Sequence, residues 1–274
     1  MKLIQLTDIH LTKKGDTIAG RDPNANFERA LAHALSHHPD AERLIITGDL
    51  SDWGEEEDYR LLSKIIERLE KPVELMIGNH DDRSTFLRTF PDLEGEGGFV
   101  HRTFPLTVGT GIALDTWGPK SHAGYFCEQR ASWLDKTLST LSGDAWLFMH
   151  HNPVPTGIGP MDEIMLLDHD RFADAIGSHA SKIRHIFHGH CHLPLNGSLR
   201  GVPFSAPRGT NHAGWPTYGA ERLLSGSDLP ESYAVIMASE RSTMVCMVEY
   251  GYDGEIRHEG SPAYEDWDKL TMIR

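Results

Sequence analysis

The run Arg184-His185-Ile186-Phe187-His188 has the apolar composition of a strand and leads directly into Gly189-His190-Cys191-His192. Side chains alternate between the two faces of a strand, so His190 and His192 are expected to point to the same side. The N-terminus repeats this spacing, because Lys2-Leu3-Ile4-Gln5-Leu6-Thr7 has the character of a buried strand and is followed by Asp8 and His10. Both stretches predict a pair of potential metal ligands at a strand end.

Three further apolar runs end in the same way. Residues 43–47 precede Gly48-Asp49, residues 73–77 precede Gly78-Asn79-His80-Asp81, and residues 145–149 precede His150-His151. Parallel strands of an α/β sheet end at a common edge, and that edge is where such proteins bind ligands. We therefore expect these oxygen and imidazole groups to converge on one site.

The composition narrows the class of protein. The chain of 274 residues has a formal net charge of −14, which disfavours a nucleic acid polymer as partner because such partners are bound by clustered Lys and Arg. No stretch has the length and apolarity of a membrane span, and the first residues enter a strand instead of a signal segment. Cys127, Cys191 and Cys246 are widely spaced, as is typical of free thiols in a reducing compartment. We expect a cytoplasmic protein without a membrane partner.

One cysteine lies within the histidine motif. Cys191 separates His190 from His192, and a thiolate is a good ligand for a soft metal ion. The strand alternation that brings the two histidines together turns Cys191 away from them. We therefore expect imidazole rather than thiolate ligands at this position.

Helical and strand patterns alternate along the rest of the chain. Helices are predicted at residues 24–36 with Asn24 as cap, after Glu55-Glu56-Glu57, and at residues 83–90, 130–141 and 168–180, the last with Asp168 as cap. Strands of a second sheet are predicted at residues 99–104 and 110–115, and a hairpin at residues 244–250 and 255–258 with the turn Asp253-Gly254. This order predicts an α/β fold in which two mixed β-sheets pack face to face and helices flank them.

The chain shows no internal repeat and no low-complexity linker, so residues 1–274 are expected to form a single domain. Residues 209–230 differ from the rest because they are rich in Gly, Pro and Ser and have no strand or helix period. They contain several large apolar residues, including Trp215 and Tyr218, without the regular spacing that would bury them in a strand or helix. We expect this segment to leave the core and to form a cap at the substrate entrance or a contact between subunits.

The five motifs occur in a fixed order, each after a predicted strand: Asp8-Ile9-His10, Gly48-Asp49, Gly78-Asn79-His80-Asp81, His150 and Gly189-His190-Cys191-His192. In this combination the chain resembles the calcineurin-like metallophosphoesterase superfamily over residues 8–192. The nearest resemblance is to bacterial class III cyclic nucleotide phosphodiesterases and glycerophosphodiesterases, which share a block similar to His150-His151-Asn152-Pro153. The resemblance implies a four-layer sandwich of two mixed sheets flanked by helices.

The resemblance also implies a centre of two metal ions. One ion would be held by Asp8, His10 and His192, the second by Asn79, His150 and His190, and Asp49 would bridge them. Carboxylate, amide and imidazole ligands suit divalent Zn, Mn, Fe or Co. Two such ions, two carboxylates and a bridging hydroxide leave about +1 to attract a phosphate. The hydroxide would attack phosphorus in line with the leaving oxygen.

Roles beyond metal binding are implied for five residues. His80 is expected to donate to a phosphoryl oxygen or to protonate the leaving alkoxide, and Asp81 to orient His80 or another imidazole. Asn79, His151 and His212 are expected on the substrate side, with an ordinary loop position as the alternative for His212. Either His150 or His151 could bind metal, because adjacent residues face opposite ways. The resemblance favours His150 and makes His151 a supporting residue.

The substrate class follows from one substitution. Trp53 lies where serine/threonine protein phosphatases carry an Arg, whose fork of donors suits the dianion of a monoester. An aromatic wall at Trp53 would instead accommodate the second organic group of a diester. We expect a dinuclear metal-dependent phosphodiesterase that acts on small diesters such as cyclic nucleotides or glycerophosphodiesters, in a homo-oligomer. The alternatives are a phosphomonoesterase, a nucleotide pyrophosphatase and a non-catalytic scaffold of the same fold.

Overall fold

The computed structural model describes residues 1–219 and 223–256. The strands, in chain order, are β1 (Lys2–Leu6), β2 (Arg43–Thr47), β3 (Val73–Met76), β4 (Arg102–Pro105), β5 (Thr110–Ala113), β6 (Ala145–Phe148), β7 (Ile183–Phe187), β8 (Leu195–Leu199), β9 (Val202–Ala206), β10 (Ala213–Trp215), β11 (Ser225–Ser227), β12 (Tyr233–Ala238) and β13 (Thr243–Val248). The α-helices are α1 (Pro23–His37), α2 (Glu56–Ile66), α3 (Arg83–Thr89), α4 (Glu128–Thr140), α5 (Gly159–Asp162) and α6 (His169–Gly177). Within the described ranges, no helix combines the length and the apolar character needed to cross a membrane.

Two large mixed sheets form the centre of the fold. The first has the strand order β13-β12-β1-β2-β3, in which β1, β2 and β3 are parallel, β12 is antiparallel to β1, and β13 is antiparallel to β12. The second has the order β4-β5-β6-β7-β9-β8, in which the four inner strands are parallel and the two edge strands antiparallel. Parallel strands joined through helices place those helices on the sheet faces.

The two sheets pack against each other through a layer of large apolar side chains. Trp146, Phe148 and Phe187 of the second sheet meet Leu3 and Ile45 of the first in one buried cluster. The outer faces are covered by helices, with α1 and α2 on the first sheet and α4 and α6 on the second. The prediction of two packed sheets with helices outside, made from the strand and helix order, is confirmed, and so is the four-layer sandwich that the resemblance implies.

Several predicted helix ends differ from those in the structure. Asp22, not Asn24, caps α1, because the Asp22 carboxylate accepts a bond from Ala25 N while the Asn24 amide bonds the backbone of Thr12. The side chain of Asp168 precedes α6 without capping it and accepts a bond from Phe126 N instead. A capping residue type in the right place is therefore insufficient where a neighbouring loop competes for its side chain.

The strand predictions after residue 98 need three corrections. The strand expected from residue 99 begins only at Arg102, and residues 209–230 contain the two-stranded sheet of β10 and β11. The predicted hairpin partner of residues 244–250 is only partly described, and β13 pairs with β12, which precedes it. Residues 255 and 256 are not in a strand, and residues 257 and 258 lie outside the described part of the chain.

The strand order explains where the predicted site residues gather. Strands β1, β2 and β3 of one sheet and β6 and β7 of the other end on the same side, and the five sequence motifs follow these five strand ends. Both sheets therefore contribute loops to one edge of the sandwich, as the sequence predicts for an α/β protein.

Loss of a side chain from the layer between the sheets should destabilise the whole domain. Trp146 is fully buried there, whereas the side chain of Trp53 is 74% exposed. We expect Trp146→Ala to lower the free energy of unfolding by about 3–5 kcal/mol because it leaves a cavity in a closely packed layer. The matched variant Trp53→Ala should change it by less than about 0.5 kcal/mol. Urea unfolding followed by circular dichroism measures both, and equal losses would contradict the assigned packing.

Candidate metal centre

The backbone turns sharply at five of the seven predicted metal ligands. Asp8, His10, Asp49, His190 and His192 have positive φ angles of 53°, 47°, 48°, 68° and 51°. They lie beyond the strand ends, because β1 ends at Leu6 and β7 at Phe187. The prediction that strand alternation aligns His190 with His192 is therefore wrong. The left-handed turns direct these side chains into the site, at a cost in backbone strain that is typical of functional loops.

Backbone hydrogen bonds between the first two loops hold this conformation. Asp8 N donates to Gly48 O at 3.1 Å, and His10 N donates to Asp49 O at 2.8 Å. The side chains of Asp49 and His150 also lie very close to the backbone at Gly78. A Cβ atom on Gly78 would lie 2.2 Å from Asp49 Oδ1 and 2.6 Å from His150 Nε2. The glycine of the Gly-Asn-His-Asp motif is thus required by packing against the predicted ligands.

One group of potential ligands contains Asp8, His10, Asp49 and His192, whose ligand atoms all lie within 4.8 Å of one another. His10 Nε2 is 3.4 Å from His192 Nε2 and 3.7 Å from Asp49 Oδ2, and His192 Nε2 is 3.4 Å from Asp8 Oδ1. Two carboxylates and two imidazole nitrogens at such distances can share one cation.

The opposite ring nitrogens of this group are occupied. His10 Nδ1 donates to Asp52 Oδ1 at 3.0 Å, and His192 Nδ1 donates to His212 O at 3.1 Å. These bonds fix each ring so that Nε2 is the nitrogen facing its neighbours. Sequence reasoning did not select Asp52 for this role. The sequence feature that could have indicated this role is the position of Asp52, three residues after the predicted ligand Asp49.

A second group lies on the other side of Asp49. His150 Nε2 is 3.3 Å from Asp49 Oδ1 and 3.0 Å from Asn79 Oδ1, and His150 Nδ1 donates to Thr47 O at 2.8 Å. His190 belongs to the same cluster of imidazoles. The two oxygens of the Asp49 carboxylate thus face different groups, Oδ2 towards His10 and Oδ1 towards His150.

His190 provides a direct test of whether this second group fits a metal ion. Its Nε2 atom is buried and has no hydrogen-bond partner in the structure. Burial, followed by the charge of His150, lowers the pKa of His190 to about 3, so the ring is neutral at physiological pH. A neutral, buried and unpartnered imidazole nitrogen beside carboxylate and amide oxygens suits a divalent transition-metal ion.

His151 lies beside the same group but both of its ring nitrogens are engaged. Nδ1 is 2.8 Å from Thr116 Oγ1, and Nε2 donates to His122 O at 3.2 Å. Burial, followed by the charges of His190 and His150, holds the pKa of His151 well below its ordinary value. Both adjacent histidines belong to a group of potential ligands with His190, but the partners of His150 Nε2 are the predicted ligands Asp49 and Asn79, whereas those of His151 are Thr116 and the His122 backbone. His151 packs behind the ligands and does not line the cavity, contrary to its predicted place on the substrate side.

His80 and Asp81 have different surroundings from those predicted. His80 Nδ1 donates to the backbone oxygen of Asp52 at 2.9 Å and lies 3.4 Å from Asp52 Oδ1. Burial disfavours the charged form, yet Asp49 and Asp52 outweigh it and raise the pKa of His80 to about 10. Asp52 therefore orients His80, which is the role predicted for Asp81.

Asp81 instead connects the loops that follow β2 and β3. Its carboxylate accepts bonds from the backbone nitrogens of Gly78, Leu50 and Ser51 and from the hydroxyl of Tyr59, at 2.8–3.1 Å. Burial, followed by the charge of Asp49, raises the pKa of Asp81 to about 6. The expectation that Asp81 orients a catalytic imidazole is wrong, because its acceptor sites are used by the backbone of both loops.

Two further histidines line the cavity above these groups. The ring of His212 is 4.2 Å from that of His192, centre to centre, so His212 lies beside a predicted metal ligand. His122 Nδ1 accepts a bond from Asn79 Nδ2 at 3.0 Å, which turns the Asn79 amide oxygen towards His150. Sequence reasoning missed His122, since it lies in a loop without a motif.

Two other predictions concern residues near this edge. Cys191 packs with Ile158, Met161 and Leu193 and does not occur in the potential ligand groups found among the described residues. Trp53 lines a shallow depression with Thr12 and does not line the cavity that contains His80 and His212. The aromatic wall expected at Trp53 is therefore absent from the cavity lining of the described chain.

The shared edge of the two packed sheets thus brings together four imidazoles, two carboxylates and one amide, which are groups of the kind that can hold metal ions in hydrolases. The chain belongs to the calcineurin-like phosphoesterase family, whose model matches residues 1–194. Members of this family use divalent metal ions, which agrees with the donor set described above.

Similar proteins cover most of the chain. A probable cyclic nucleotide phosphodiesterase of Rhodopseudomonas palustris is 35% identical over 261 residues, or 93% of this chain and 95% of the relative. A probable glycerophosphodiester phosphodiesterase of Arcobacter nitrofigilis is 28% identical over 200 residues, or 70% of this chain and 72% of the relative. The crystal structure of a dimetal phosphatase from Danio rerio has the same fold, with a TM-score of 0.67, 14% identity, and coverage of 91% of this chain and 96% of that one.

The different surroundings of the two adjacent histidines predict different effects on metal binding. We expect His150→Ala to lose about one manganese ion per chain after dialysis, because its Nε2 faces Asp49 and Asn79. His151→Ala should keep its manganese, since both nitrogens of His151 are used by Thr116 and His122. Elemental analysis by mass spectrometry gives the metal content, and circular dichroism checks that both variants fold. The reverse pattern would assign the ligand to His151.

Proposed function

We propose that the chain hydrolyses small phosphodiesters at a centre of two divalent transition-metal ions. The enzyme is a phosphoric diester hydrolase, in agreement with its family and with the names of its relatives. The observation that carries the dinuclear proposal is the Asp49 carboxylate, whose two oxygens face two separate groups of potential ligands. A carboxylate in that position can contact two cations at once.

The proposed ligand sets follow these two groups. One ion would be held by Asp8, His10 and His192. The other ion would be held by Asn79, His150 and His190. Asp49 would bind both ions. Burial opposes ionisation of Asp8, yet the nearby His192 outweighs it and lowers the pKa of Asp8, which favours a carboxylate ready for a cation. The donor set suits Mn, Fe, Zn or Co and does not choose among them.

Bound divalent ions supply charge neutralisation for the phosphate and lower the pKa of water. The chain itself supplies a proton donor beside them. His80 lines the cavity, and its Nδ1 proton is committed to Asp52 O, so the proton available to a substrate is the one on Nε2. We assign His80 to hydrogen bonding of a phosphoryl oxygen or protonation of the leaving oxygen. Asn79, His122 and His212 surround the same space and would contact the substrate.

A diester is favoured over a monoester by the charges around the cavity. None of the described residues that line it is Lys or Arg. A monoester dianion or a pyrophosphate is usually bound by such cations, whereas a singly charged diester needs fewer of them. Trp53 gives no support, because it lies outside the cavity. Phosphomonoesterase and nucleotide pyrophosphatase are the alternative activities, and a non-catalytic scaffold is the alternative from another class.

Properties of the whole protein form a second part of the proposal. We infer a single domain over residues 1–274, a cytoplasmic location and a homo-oligomer, without a nucleic acid polymer or a membrane as partner. The net charge of −14 supports the exclusion of nucleic acid. Tyr218, whose side chain is 65% exposed within residues 209–230, supports a subunit contact.

Two chromogenic substrates separate the diesterase from its nearest alternative. With manganese-loaded protein, we expect bis(p-nitrophenyl) phosphate to be hydrolysed with a higher kcat/KM than p-nitrophenyl phosphate, because the cavity lining formed by residues 1–219 and 223–256 contains no Lys or Arg. Release of p-nitrophenolate is followed by absorbance at the same metal loading for both. Faster turnover of the monoester would overturn the diester proposal. No turnover of either, together with no bound metal, would favour the scaffold.

Variants of Asp49 and His80 separate metal binding from proton transfer. Asp49→Asn should lose both metal and activity, because one carboxylate faces both ligand groups. His80→Ala should keep the metal and lower kcat by about 10²–10⁴ for substrates with poor leaving groups. Metal content and kcat are measured on the same preparations. Metal loss in His80→Ala would make His80 a ligand, and full activity on a poor leaving group would remove its role as proton donor.

A further inference from the structure

The cavity that contains the proposed metal ligands has a second, apolar end. Its volume is about 400 Å³, within the range of small-molecule sites. His10, Asp49, His190 and other polar residues line one end. Ile158, Leu193 and Trp215 are among the residues that line the other. The function proposed above uses only the polar end.

A small buried cluster forms the floor of the apolar end. Ile158, Met161, Cys191 and Leu193 pack together there, separately from the three larger apolar clusters of the described chain. Cys191 and Leu193 flank His192, so the floor begins directly beside a proposed metal ligand. A ligand anchored at the metals would therefore extend over apolar atoms.

The hairpin of β10 and β11 forms the wall. Trp215 and Leu224 line the cavity although 52% and 57% of their surfaces are exposed. Gly214 and Gly226 pair across the hairpin and also line the cavity, so these two positions contribute no side chain to the space between wall and floor. Large apolar groups left open around such a space mark a binding surface.

The wall is fixed relative to the metal ligands. Gly214 N donates to His192 O at 2.8 Å, and His192 Nδ1 donates to His212 O at 3.1 Å. A side chain at position 214 could not be accommodated easily, because its Cβ would lie 2.9 Å from Cys191 O. The distance between the apolar wall and the phosphate position is thus set by backbone contacts.

We propose that this apolar end is a subsite for one ester group of the substrate, and that the group is uncharged and aromatic. The proposal rests on the function proposed above, since it places the phosphate at the metal ligands. Trp215 offers a ring face for stacking, and the floor offers aliphatic contacts. A second anionic group would find no Lys or Arg among the described lining residues and would lose its hydration without compensation.

Three phosphonates with the same anchoring group test the subsite without a leaving group. Binding of methylphosphonate, benzylphosphonate and 4-carboxybenzylphosphonate to manganese-loaded protein is measured by titration calorimetry. We expect benzylphosphonate to bind about 10 to 50 times more tightly than methylphosphonate, because its ring buries apolar surface against the wall and floor. The carboxylate of the third compound should remove most of that gain. Equal affinities for the first two compounds would overturn the proposal.

Two adjacent leucines provide a matched pair of variants. Leu224 lines the cavity, whereas Leu223 is 64% exposed and does not line it. Leu224→Asp and Trp215→Ala should each reduce the ratio of the benzylphosphonate affinity to the methylphosphonate affinity to less than about threefold. Leu223→Asp should keep the full preference. An equal loss in Leu223→Asp would show that Leu224 does not form the wall and would overturn the assignment.

The same preparations distinguish this proposal from the activity on which it rests. Hydrolysis of bis(p-nitrophenyl) phosphate without any preference among the phosphonates would overturn the subsite and leave the diesterase standing. A preference for benzylphosphonate that is lost in Leu224→Asp, with no hydrolysis of any diester, would support the subsite and overturn the diesterase.

Discussion

The buried carboxylate of Asp49 is the interaction on which the site depends. It follows β2 of the first sheet, accepts a bond from His80 N at 2.9 Å, and faces His150 from the second sheet. Its other oxygen faces His10. Loops from both halves of the sandwich thus meet at one anion, and the proposed cation on either side of it would compensate the cost of burying that charge. The face-to-face packing of the sheets is what brings these loops into range.

The left-handed backbone at five predicted ligands is the second constraint. Each such turn costs free energy at a residue that is not glycine, and cooperative contacts in the surrounding loops must offset that cost. Asp81 contributes by joining the loops after β2 and β3 through three backbone nitrogens and Tyr59. The site therefore depends on strained backbone held by hydrogen bonds between loops as much as on its side chains. This is the physical reason for glycines such as Gly78, whose missing side chain leaves room for Asp49 and His150.

The alternation of strands and helices was sufficient to predict the α/β sandwich, because apolar runs and their periods report burial directly. The same reasoning located the polar residues at the strand ends, since parallel strands end at a common edge. It was wrong about the roles of Asp81 and Trp53 and about alternation at His190 and His192, because these depend on loop conformation. His122 carries no local pattern at all. Its contact with Asn79 arises only when the loops after β3 and β5 come together, which sequence spacing does not encode.

The hairpin formed by β10 and β11 is attached to the site through main-chain atoms, by the bond from Gly214 N to His192 O. Main-chain bonds do not depend on the identity of neighbouring side chains. Positions 215 and 224 can therefore diversify over evolutionary time without shifting the imidazole of His192. Substitutions at these two positions, in evolution or in a directed library, can thus change which ester group the cavity prefers. The residues that act on the phosphate stay in place.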